Sequence, residues 1–338
     1  MKLLVRMSNW LGDVVLGTPA LRRLSELFPG AEIAVLAPAG NRHILLHHPA
    51  VTRFLDLPIE RGAWAPFKLG QALRAERFDR AYLFPNSFSS ALSAWWANIP
   101  ERAGYAREGR RVLLTDARPR DAQALSLHMV HYYLNLVEPG GAWGPEYRPR
   151  VYLTDDEKSW AEEYLARHGV HPGDLIAGVN PGAVGGTAKR WLPERFAVLA
   201  RRLVEERGAR VLLFGNQAER ALTEEIARMA GAPLINTAGE TNLRQLAALM
   251  ARCAWVVTID TGGMHVADAV GARVLAIIGP TIYQNTRPFG EKNVIVRVDV
   301  DCSPYRQPCM LKECPIDHRC MTGIAVGRVW EALGDGDE

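Results

Sequence analysis

The sequence has no apolar run long enough to cross a membrane. A transmembrane helix needs about 20 consecutive apolar residues, and no window of the 338-residue chain approaches that length. The first apolar run, at residues 2–7, is too short for the core of a signal peptide, and no small-residue cleavage site follows it. We therefore expect a cytoplasmic protein without a transmembrane segment.

Cysteine is scarce, with five residues in the whole chain, which is too few for a disulfide framework. Four of the five lie within 19 residues, together with His318, and they are Cys302, Cys309, Cys314 and Cys320. Structural zinc sites usually contain two pairs of ligands, each pair separated by a few residues, and in this run only Cys309 and Cys314 have the usual cysteine spacing of two to four intervening residues. We favour reduced structural thiols, and a zinc site is the alternative.

Lysine is nearly missing from the first half of the chain, where only Lys2 and Lys68 occur. Residues 1–150 carry 19 Lys and Arg against 13 Asp and Glu, a net charge of +6, whereas residues 151–338 carry 21 against 24, a net charge of −3. Arginine binds phosphate and carboxylate groups through paired hydrogen bonds. The excess therefore suggests an anionic partner for the first half, although an arginine-rich solvated surface explains it equally well.

Two common nucleotide-binding fingerprints are also absent. The chain has no Gly-x4-Gly-Lys-Ser/Thr loop, and its first βα turn lacks Gly-x-Gly-x-x-Gly. A nicotinamide-dependent dehydrogenase is therefore disfavoured.

Short buried strands nevertheless alternate with helices along the chain. The predicted strands lie at 2–7, 32–37, 80–84, 175–180, 210–214, 255–259 and 273–278, and the predicted helices at 14–27, 126–137, 193–206, 217–230, 243–251 and 264–270. This alternation is typical of doubly wound α/β domains with parallel sheets.

A Pro- and Gly-rich segment at 138–149 interrupts the alternation of strands and helices. The capping-box pattern from Thr154 to Glu157 then predicts the start of a new helix. We predict two domains, 1–150 and 151–325. We expect residues 326–338 to form the end of a C-terminal helix and a frayed acidic tail.

The turn after the predicted strand 255–259 has the composition of an anion site. It contains Asp260, Thr261, Gly262, Gly263 and His265. Unpaired N–H groups at a helix N-terminus bind anions, and the hydroxyl of Thr261 and the ring of His265 add donors. The alternative is a simple tight turn in which Asp260 caps the helix.

A second candidate phosphate loop follows the predicted strand 175–180. Its glycines allow close backbone approach and its polar side chains offer donors, and these residues are Gly182, Gly185, Gly186, Thr187, Lys189 and Arg190. A flexible surface loop is the alternative. In open α/β sheets ligands bind at the carboxyl ends of the strands, so two such turns in one domain reinforce each other.

Two carboxylates complete the candidate chemistry. Asp13 lies in the first βα turn and could act as a general base, although helix N-capping is the common role of such an aspartate. Glu219 follows the predicted strand 210–214 and could bind a ribose hydroxyl, or simply stabilise a helix start.

Three segments together resemble the bacterial ADP-heptose:lipopolysaccharide heptosyltransferases of glycosyltransferase family 9, most closely the heptosyltransferase II branch. They are 8–14 (Ser-Asn-Trp-Leu-Gly-Asp-Val), 180–191 and 260–265, and the Cys- and Pro-rich stretch 302–321 is also similar. The resemblance covers about residues 1–325. It implies a GT-B fold, in which two Rossmann-like domains face each other across a cleft. It also implies inverting transfer of L-glycero-D-manno-heptose from ADP-heptose to the lipopolysaccharide inner core, with no metal and no cofactor.

The resemblance also assigns roles to residues. Asp13 takes the position of the catalytic base. The donor-binding positions are Thr187, Lys189, Glu219, Asp260, Thr261, Gly262, Gly263 and His265. Glu219 is the weaker match, and Gly263 stands where the family commonly has Leu, which should loosen the turn.

The implied acceptor is an anionic lipid A–inner core at the inner membrane surface, to which the protein would be peripheral, and no nucleic acid is involved. The expected acceptor contacts are Arg6, Asn9, Trp10, Arg107, Arg110, Arg111 and Arg120. Two alternatives stay open: a related enzyme with another nucleotide-sugar or glycan, and a non-catalytic nucleotide-sugar binding module that would have no use for Asp13.

Overall fold

The computed structural model describes residues 1–57, 62–107, 109–183, 186–302 and 307–334. Gly185 of the predicted phosphate loop and residues 335–338 of the predicted acidic tail lie outside these ranges. The chain forms two compact units, Met1–Tyr152 and Leu153–Glu338, which divide two residues after the predicted boundary. Within the described ranges, no helix combines the length and the apolar character that a membrane span needs.

The first unit alternates strands and helices. Its strands are β1 (Lys2–Arg6), β2 (Glu32–Leu36), β3 (Arg53–Phe54), β4 (Arg80–Leu83), β5 (Glu101–Tyr105) and β6 (Asp116–Arg118). Its helices are α1 (Leu11–Leu16), α2 (Thr18–Leu27), α3 (Ala39–Arg42), α4 (Ala65–Arg74), α5 (Phe88–Trp96), α6 (Ala122–Ser126) and α7 (Met129–Val137).

The second unit repeats the pattern. Its strands are β7 (Ile176–Asn180), β8 (Arg210–Leu213), β9 (Leu234–Asn236), β10 (Trp255–Ile259), β11 (Arg273–Ile277) and β12 (Val294–Val296). Its helices are α8 (Asp155–Arg167), α9 (Pro193–Arg207), α10 (Arg220–Ala230), α11 (Leu243–Met250), α12 (Gly262–Ala269), α13 (Tyr283–Thr286), α14 (Arg319–Thr322) and α15 (Val326–Ala332).

Each unit has one parallel sheet with the same strand order. In the described part of the chain, the first sheet runs β3-β2-β1-β4-β5-β6 and the second runs β9-β8-β7-β10-β11-β12. Both are the Rossmann order, in which the winding direction reverses between the first and fourth strands. The predicted doubly wound α/β class is therefore confirmed for both halves.

The seven predicted strands are confirmed with ends that differ by one residue at most. Their residues are almost entirely buried, and β7 and β10 are buried at every position. Strands covered by helices on both faces read as continuous apolar runs, which is why the pattern revealed them.

The predicted helix 14–27 is wrong as one element, because the chain breaks at Gly17 into α1 and α2. Pro19 lacks the N–H that a continuous helix would use, but it fits the first turn of a new helix. A side chain at Gly17 would also come within 3.0 Å of Met7 and Phe84. Likewise, the helix predicted at 126–137 begins at Met129.

The Pro- and Gly-rich segment 138–149 is attached to the first unit. Arg23 of α2 forms an ion pair with Glu138 at 2.7 Å and bonds to Tyr147 at 3.3 Å. Arg22 donates to the carbonyl of Glu146 at 3.0 Å. The two units therefore divide just beyond this segment, before the capping box that Thr154 forms with Glu157.

Candidate functional site

The candidate donor residues gather where the winding of the second sheet reverses. β7 and β10 pair in parallel, with Asn180 opposite Thr258. The phosphate loop follows β7, and the Asp260 turn follows β10. The two turns therefore lie side by side at the position where open α/β sheets bind ligands.

An ion pair joins the two turns. Lys189 Nζ lies 3.1 Å from Asp260 Oδ2, and the Asp260 carboxylate is mostly buried. Helix α12 has Thr261 at its N-cap and no side-chain cap bond, so the alternative in which Asp260 caps the helix is wrong. Lys189 Nζ also lies 3.5 Å from the carbonyl oxygen of Asp260, the residue before the N-cap of α12, and Thr187 is exposed in the same loop.

Gly263 lies in the first turn of α12, close against the end of β7. A Cβ atom at position 263 would come within 2.6 Å of Asn180 Nδ2, and that amide donates to Thr258 Oγ1 at 3.1 Å. Glycine therefore lets α12 approach the phosphate loop closely. His265 follows in the same helix and is buried.

Glu219 lies against the phosphate loop but is already engaged. A Cβ atom on Gly182 would come within 2.1 Å of Glu219 Oε1, so the carboxylate rests on that glycine. Glu219 Oε2 also accepts from the Asn216 N–H at 2.9 Å, as part of a capping box before α10. Both interpretations of Glu219 from the sequence are thus compatible with its location.

The Cys- and Pro-rich stretch 302–321 forms hydrogen bonds to the backbone of the phosphate loop. The N–H of Ala188 donates to the carbonyl of Lys312 at 2.9 Å, and His318 Nε2 lies 2.6 Å from the carbonyl of Ala188. Both backbone groups of the residue before Lys189 are therefore bonded to this stretch, which the sequence analysis did not connect with the loop.

The four clustered cysteines line one small pocket with His318 and Ala188, and they are Cys302, Cys309, Cys314 and Cys320. All four are free thiols. Burial raises the pKa of Cys320 to about 11, so this thiol stays protonated at neutral pH. Among the described residues, no three side chains are arranged to hold a metal ion.

In the first unit, Asp13 lies in the first turn of α1 and is not its N-cap. Tyr133 of α7 donates to Asp13 Oδ1 at 2.8 Å and lies 3.1 Å from Ser8 Oγ. Burial raises the pKa of Tyr133 well above its ordinary value, so the phenol keeps its proton and can orient the carboxylate.

Three predicted acceptor residues surround the end of β1. Arg6 is buried and donates to Asn9 Oδ1 at 2.7 Å and to the carbonyl of Met7. Burial lowers the pKa of Arg6 to about 10. Trp10 is exposed at the start of α1. Arg6 therefore positions Asn9 directly, and Trp10 offers a surface for a ligand.

The predicted contact between Arg110 and the acceptor is wrong, because this side chain is completely buried. Its Nε donates to the carbonyl of Tyr105 at 2.7 Å, and its other nitrogens bond to Pro85 and neighbouring groups. Gly109, with φ of +74°, turns the chain so that the guanidinium points inward. The guanidinium of Arg110 thereby holds the loop that follows β4 through hydrogen bonds to the carbonyls of Pro85 and Ser87.

The other predicted acceptor arginines are accessible. Arg107 and Arg111 are exposed, and Arg120 is half-buried. Arg120 Nε donates to Tyr132 Oη at 3.3 Å, and Asn86 Nδ2 donates to the same oxygen at 3.0 Å. The ring of Tyr132 lies 5.8 Å from the ring of Tyr133, the residue that donates to Asp13.

Sequence reasoning missed Tyr132 and Tyr133, which connect Asp13 to Arg120. A signal was present, since two adjacent tyrosines in the apolar helix pattern place hydroxyl groups in the interior, where they need partners. It also missed the contact of His318 with the phosphate loop, for which no local pattern exists.

The chain is similar in sequence and in fold to known glycosyltransferases. The sequence profile of glycosyltransferase family 9 (heptosyltransferase) matches residues 66–316. Lipopolysaccharide heptosyltransferase 2 of Escherichia coli K12 is 36% identical over 312 residues, covering 88% of each chain. Lipooligosaccharide heptosyltransferase 2 of Haemophilus influenzae is 34% identical over 316 residues, covering 88% of this chain and 89% of its own. The solved E. coli ADP-heptose LPS heptosyltransferase II superposes with a TM-score of 0.82 at 33% identity, covering 99% and 98% of the chains.

Proposed function

The chain belongs to glycosyltransferase family 9, with the GT-B fold, and from that membership we propose that it transfers L-glycero-D-manno-heptose from ADP-heptose to the inner core of lipopolysaccharide. The sugar and the acceptor follow from relatives that are named lipopolysaccharide or lipooligosaccharide heptosyltransferase 2. The proposal makes the second unit the donor-binding half and the first unit the acceptor-binding half.

One observation carries the proposal: two anion-suited turns lie side by side at the reversal point of the second sheet. Lys189 supplies the positive charge, and the N-terminus of α12 after Thr261 supplies backbone donors. When ADP leaves, negative charge develops on its terminal phosphate. Donors aimed at such a position stabilise the transition state by a few kcal/mol each, about 2.7–4 kcal/mol in the best-studied case. In the proposal no divalent ion takes part in this step.

In the proposed step, an acceptor hydroxyl attacks the anomeric carbon of the heptose from the face opposite the diphosphate. A C–O bond forms to the acceptor, the bond to the phosphate oxygen breaks with its electron pair, and the configuration inverts. The hydroxyl proton passes to Asp13. ADP leaves as an anion and needs no proton, so one carboxylate is sufficient, in contrast to the pair used in glycoside hydrolysis.

The proposed acceptor, lipid A with an inner core, carries phosphates and acidic sugars. Arg107, Arg111 and Arg120 of the first unit are accessible, and arginine fits such groups through paired hydrogen bonds. Because this acceptor is anchored in a bilayer, the proposal makes the protein a cytoplasmic enzyme peripheral to the inner membrane surface.

The direct test is ADP release from ADP-heptose in the presence of truncated lipid acceptors that end before the second inner-core heptose. We expect ADP release that depends on the acceptor and persists in EDTA. Replacement of ADP-heptose by another nucleotide-sugar distinguishes related enzymes. Activity that disappears with EDTA and returns with Mg²⁺ would contradict the role given to Lys189. ADP-heptose binding without transfer to any acceptor would identify a binding module.

A further inference from the structure

We propose that an aromatic cluster on the first unit docks the protein on the surface of an anionic lipid bilayer. The cluster consists of Trp64, Phe67, Trp95 and Trp96, where α4 meets α5. The inference rests on the proposed function, since a lipid acceptor is what makes a bilayer the natural partner. It adds the surface that meets the bilayer.

The outward face of α5 has an unusual composition for an exposed helix. None of the nine residues of α5, Phe-Ser-Ser-Ala-Leu-Ser-Ala-Trp-Trp, carries a charge. Phe88, Trp95 and Trp96 are 42%, 45% and 40% exposed. A helix that faces only water usually carries charged residues on that face. The exposed face of α5 therefore has the composition of a surface that is covered part of the time.

The exposed rings form one contiguous cluster. Trp95 and Trp96 lie 5.1 Å apart, Trp96 and Phe67 lie 5.0 Å apart, and Phe67 and Trp64 lie 6.5 Å apart between ring centroids. Trp64 is 75% exposed at the start of α4. Contiguous exposed apolar surface, unlike single exposed residues, indicates a site of interaction.

The cluster is held rigidly by the packing beneath it. Gly70 of α4 lies so close to α5 that a Cβ atom there would come within 2.4 Å of Trp96 Cβ. A small residue at a helix crossing lets the two backbones approach closely. Here Gly70 packs α4 against α5 at the position of Trp96. Docking would therefore require no rearrangement of the two helices.

The charges beside the cluster favour an anionic lipid surface. Lys68 lies one helical turn after Trp64, and Arg74 lies two turns after Phe67, both exposed on α4. The half of the chain that carries the cluster has a net charge of +6, from 19 Lys and Arg against 13 Asp and Glu in residues 1–150. Tryptophan prefers the interfacial layer of a bilayer, and basic side chains bind anionic headgroups. A second copy of the same unit would bring positive charges together.

The experiment measures cosedimentation of the full-length protein with phosphatidylcholine vesicles, with and without phosphatidylglycerol. The Trp64→Ser, Trp95→Ser double variant should bind the anionic vesicles about tenfold more weakly or worse, because burial of one large apolar side chain changes an affinity by roughly that factor or more. Lys68→Gln should weaken binding about fivefold on anionic vesicles only. Trp160→Ser, at a half-buried tryptophan of the second unit, is the matched control and should bind like the wild type.

Transfer to a water-soluble, deacylated acceptor is measured for the same proteins. Equal activity of the double variant and the wild type supports a docking role and shows that the variant is folded. If no protein transfers heptose, the proposed function fails, whereas the vesicle result still decides the docking proposal. Docking is overturned if the wild type ignores anionic vesicles, or if the double variant binds them equally well. It is also overturned if the cluster proves to hold two copies of the chain together in solution.

Discussion

At the residue scale, the hydrogen bond from Tyr133 to Asp13 orients the carboxylate that we propose as the general base. Oδ1 accepts from the phenol, which is itself held by Ser8 and stacked on Phe84 at a centroid distance of 4.8 Å. This packing fixes the carboxylate plane. A general base held in this way, as we propose for Asp13, loses little entropy when the acceptor hydroxyl binds.

Asp13→Asn should lower turnover by about 10²–10⁴-fold, which is the usual contribution of a general base. ADP affinity should stay unchanged, because the residues proposed to bind ADP lie in the second unit. Tyr133→Phe should cost less, about 10–100-fold, since it removes one hydrogen bond to a charged group. Steady-state kinetics and calorimetry with ADP measure both. Near-normal turnover of Asp13→Asn would remove this residue from the mechanism.

His48 should make the first unit acid-sensitive. Its ring is buried against Tyr152, its Nδ1 accepts from the Ala50 N–H, and burial lowers its pKa to about 4 from an unfolded value of 6.5. The unfolded chain therefore binds this proton at a higher pH than the folded chain does. The contribution of His48 to the free energy of unfolding is complete above pH 6.5. It falls by about 3 kcal/mol in total as the pH decreases to 4.

Urea unfolding at pH 7 and pH 5 checks this expectation. His48→Gln should show a smaller loss between the two pH values than the wild type, whatever its stability at pH 7. His43→Gln, at an exposed histidine, is the matched control and should keep the loss of the wild type. An identical pH dependence in His48→Gln would exclude this residue as the cause.

At the element scale, the phosphate loop depends on a stretch more than 100 residues later in the chain. His318 has a positive φ of +57° and bonds to the carbonyl of Ala188 at 2.6 Å. His318→Asn tolerates that backbone conformation but is too short to reach, whereas His318→Gln keeps an N–H donor. His318→Asn should therefore weaken ADP binding about 3–10-fold, and His318→Gln should restore most of it.

Calorimetric titration with ADP, together with the KM for ADP-heptose and kcat at saturation, separates positioning from misfolding. The KM should rise while kcat changes little. Lys312→Ala is the matched control, because Lys312 contacts the loop through its backbone carbonyl and not its side chain. If His318→Asn binds ADP like the wild type, the hydrogen bond does not position the loop.

The sequence predicted the elements whose evidence is local. β7 and β10 are buried apolar runs bounded by turn residues, so the pattern identified them and the loops that follow. β3 has two residues, and β5 reads Glu-Arg-Ala-Gly-Tyr, so neither is recognisable without its neighbour in the sheet. Strands of this kind are defined by their hydrogen-bond partners more than by their own composition.

The same distinction applies to the candidate site. That Lys189 and Asp260 both follow buried strands could be predicted, but their ion pair spans 71 residues of sequence and depends on which strands are neighbours. Arg110 was misassigned because a charge pattern does not reveal side-chain direction. Gly109 turns this arginine inward, where backbone carbonyls satisfy it.

At the scale of the whole molecule, each unit has its own core. The second core is formed by side chains from β7, β8, β10, β11 and the helices α9 and α10, and the first is formed within Met1–Tyr152. The isolated fragment 153–338 should therefore fold and bind ADP within a few-fold of the full-length affinity, while it transfers no heptose. Calorimetry on the fragment, with circular dichroism as the folding control, tests this. A folded fragment that does not bind ADP would show that the first unit contributes to the nucleotide site.

The contiguity of the two units also bears on how the protein is made. All six strands of the first sheet lie within Met1–Tyr152, so no later part of the chain is needed to complete it. Ribosomes add about 5–20 residues per second, and domains generally fold in order of synthesis. Translation of the remaining 186 residues takes on the order of 10–40 s. The first sheet can form during that time. The first unit can thus become compact, with its apolar strands already covered, before synthesis of the second unit is complete.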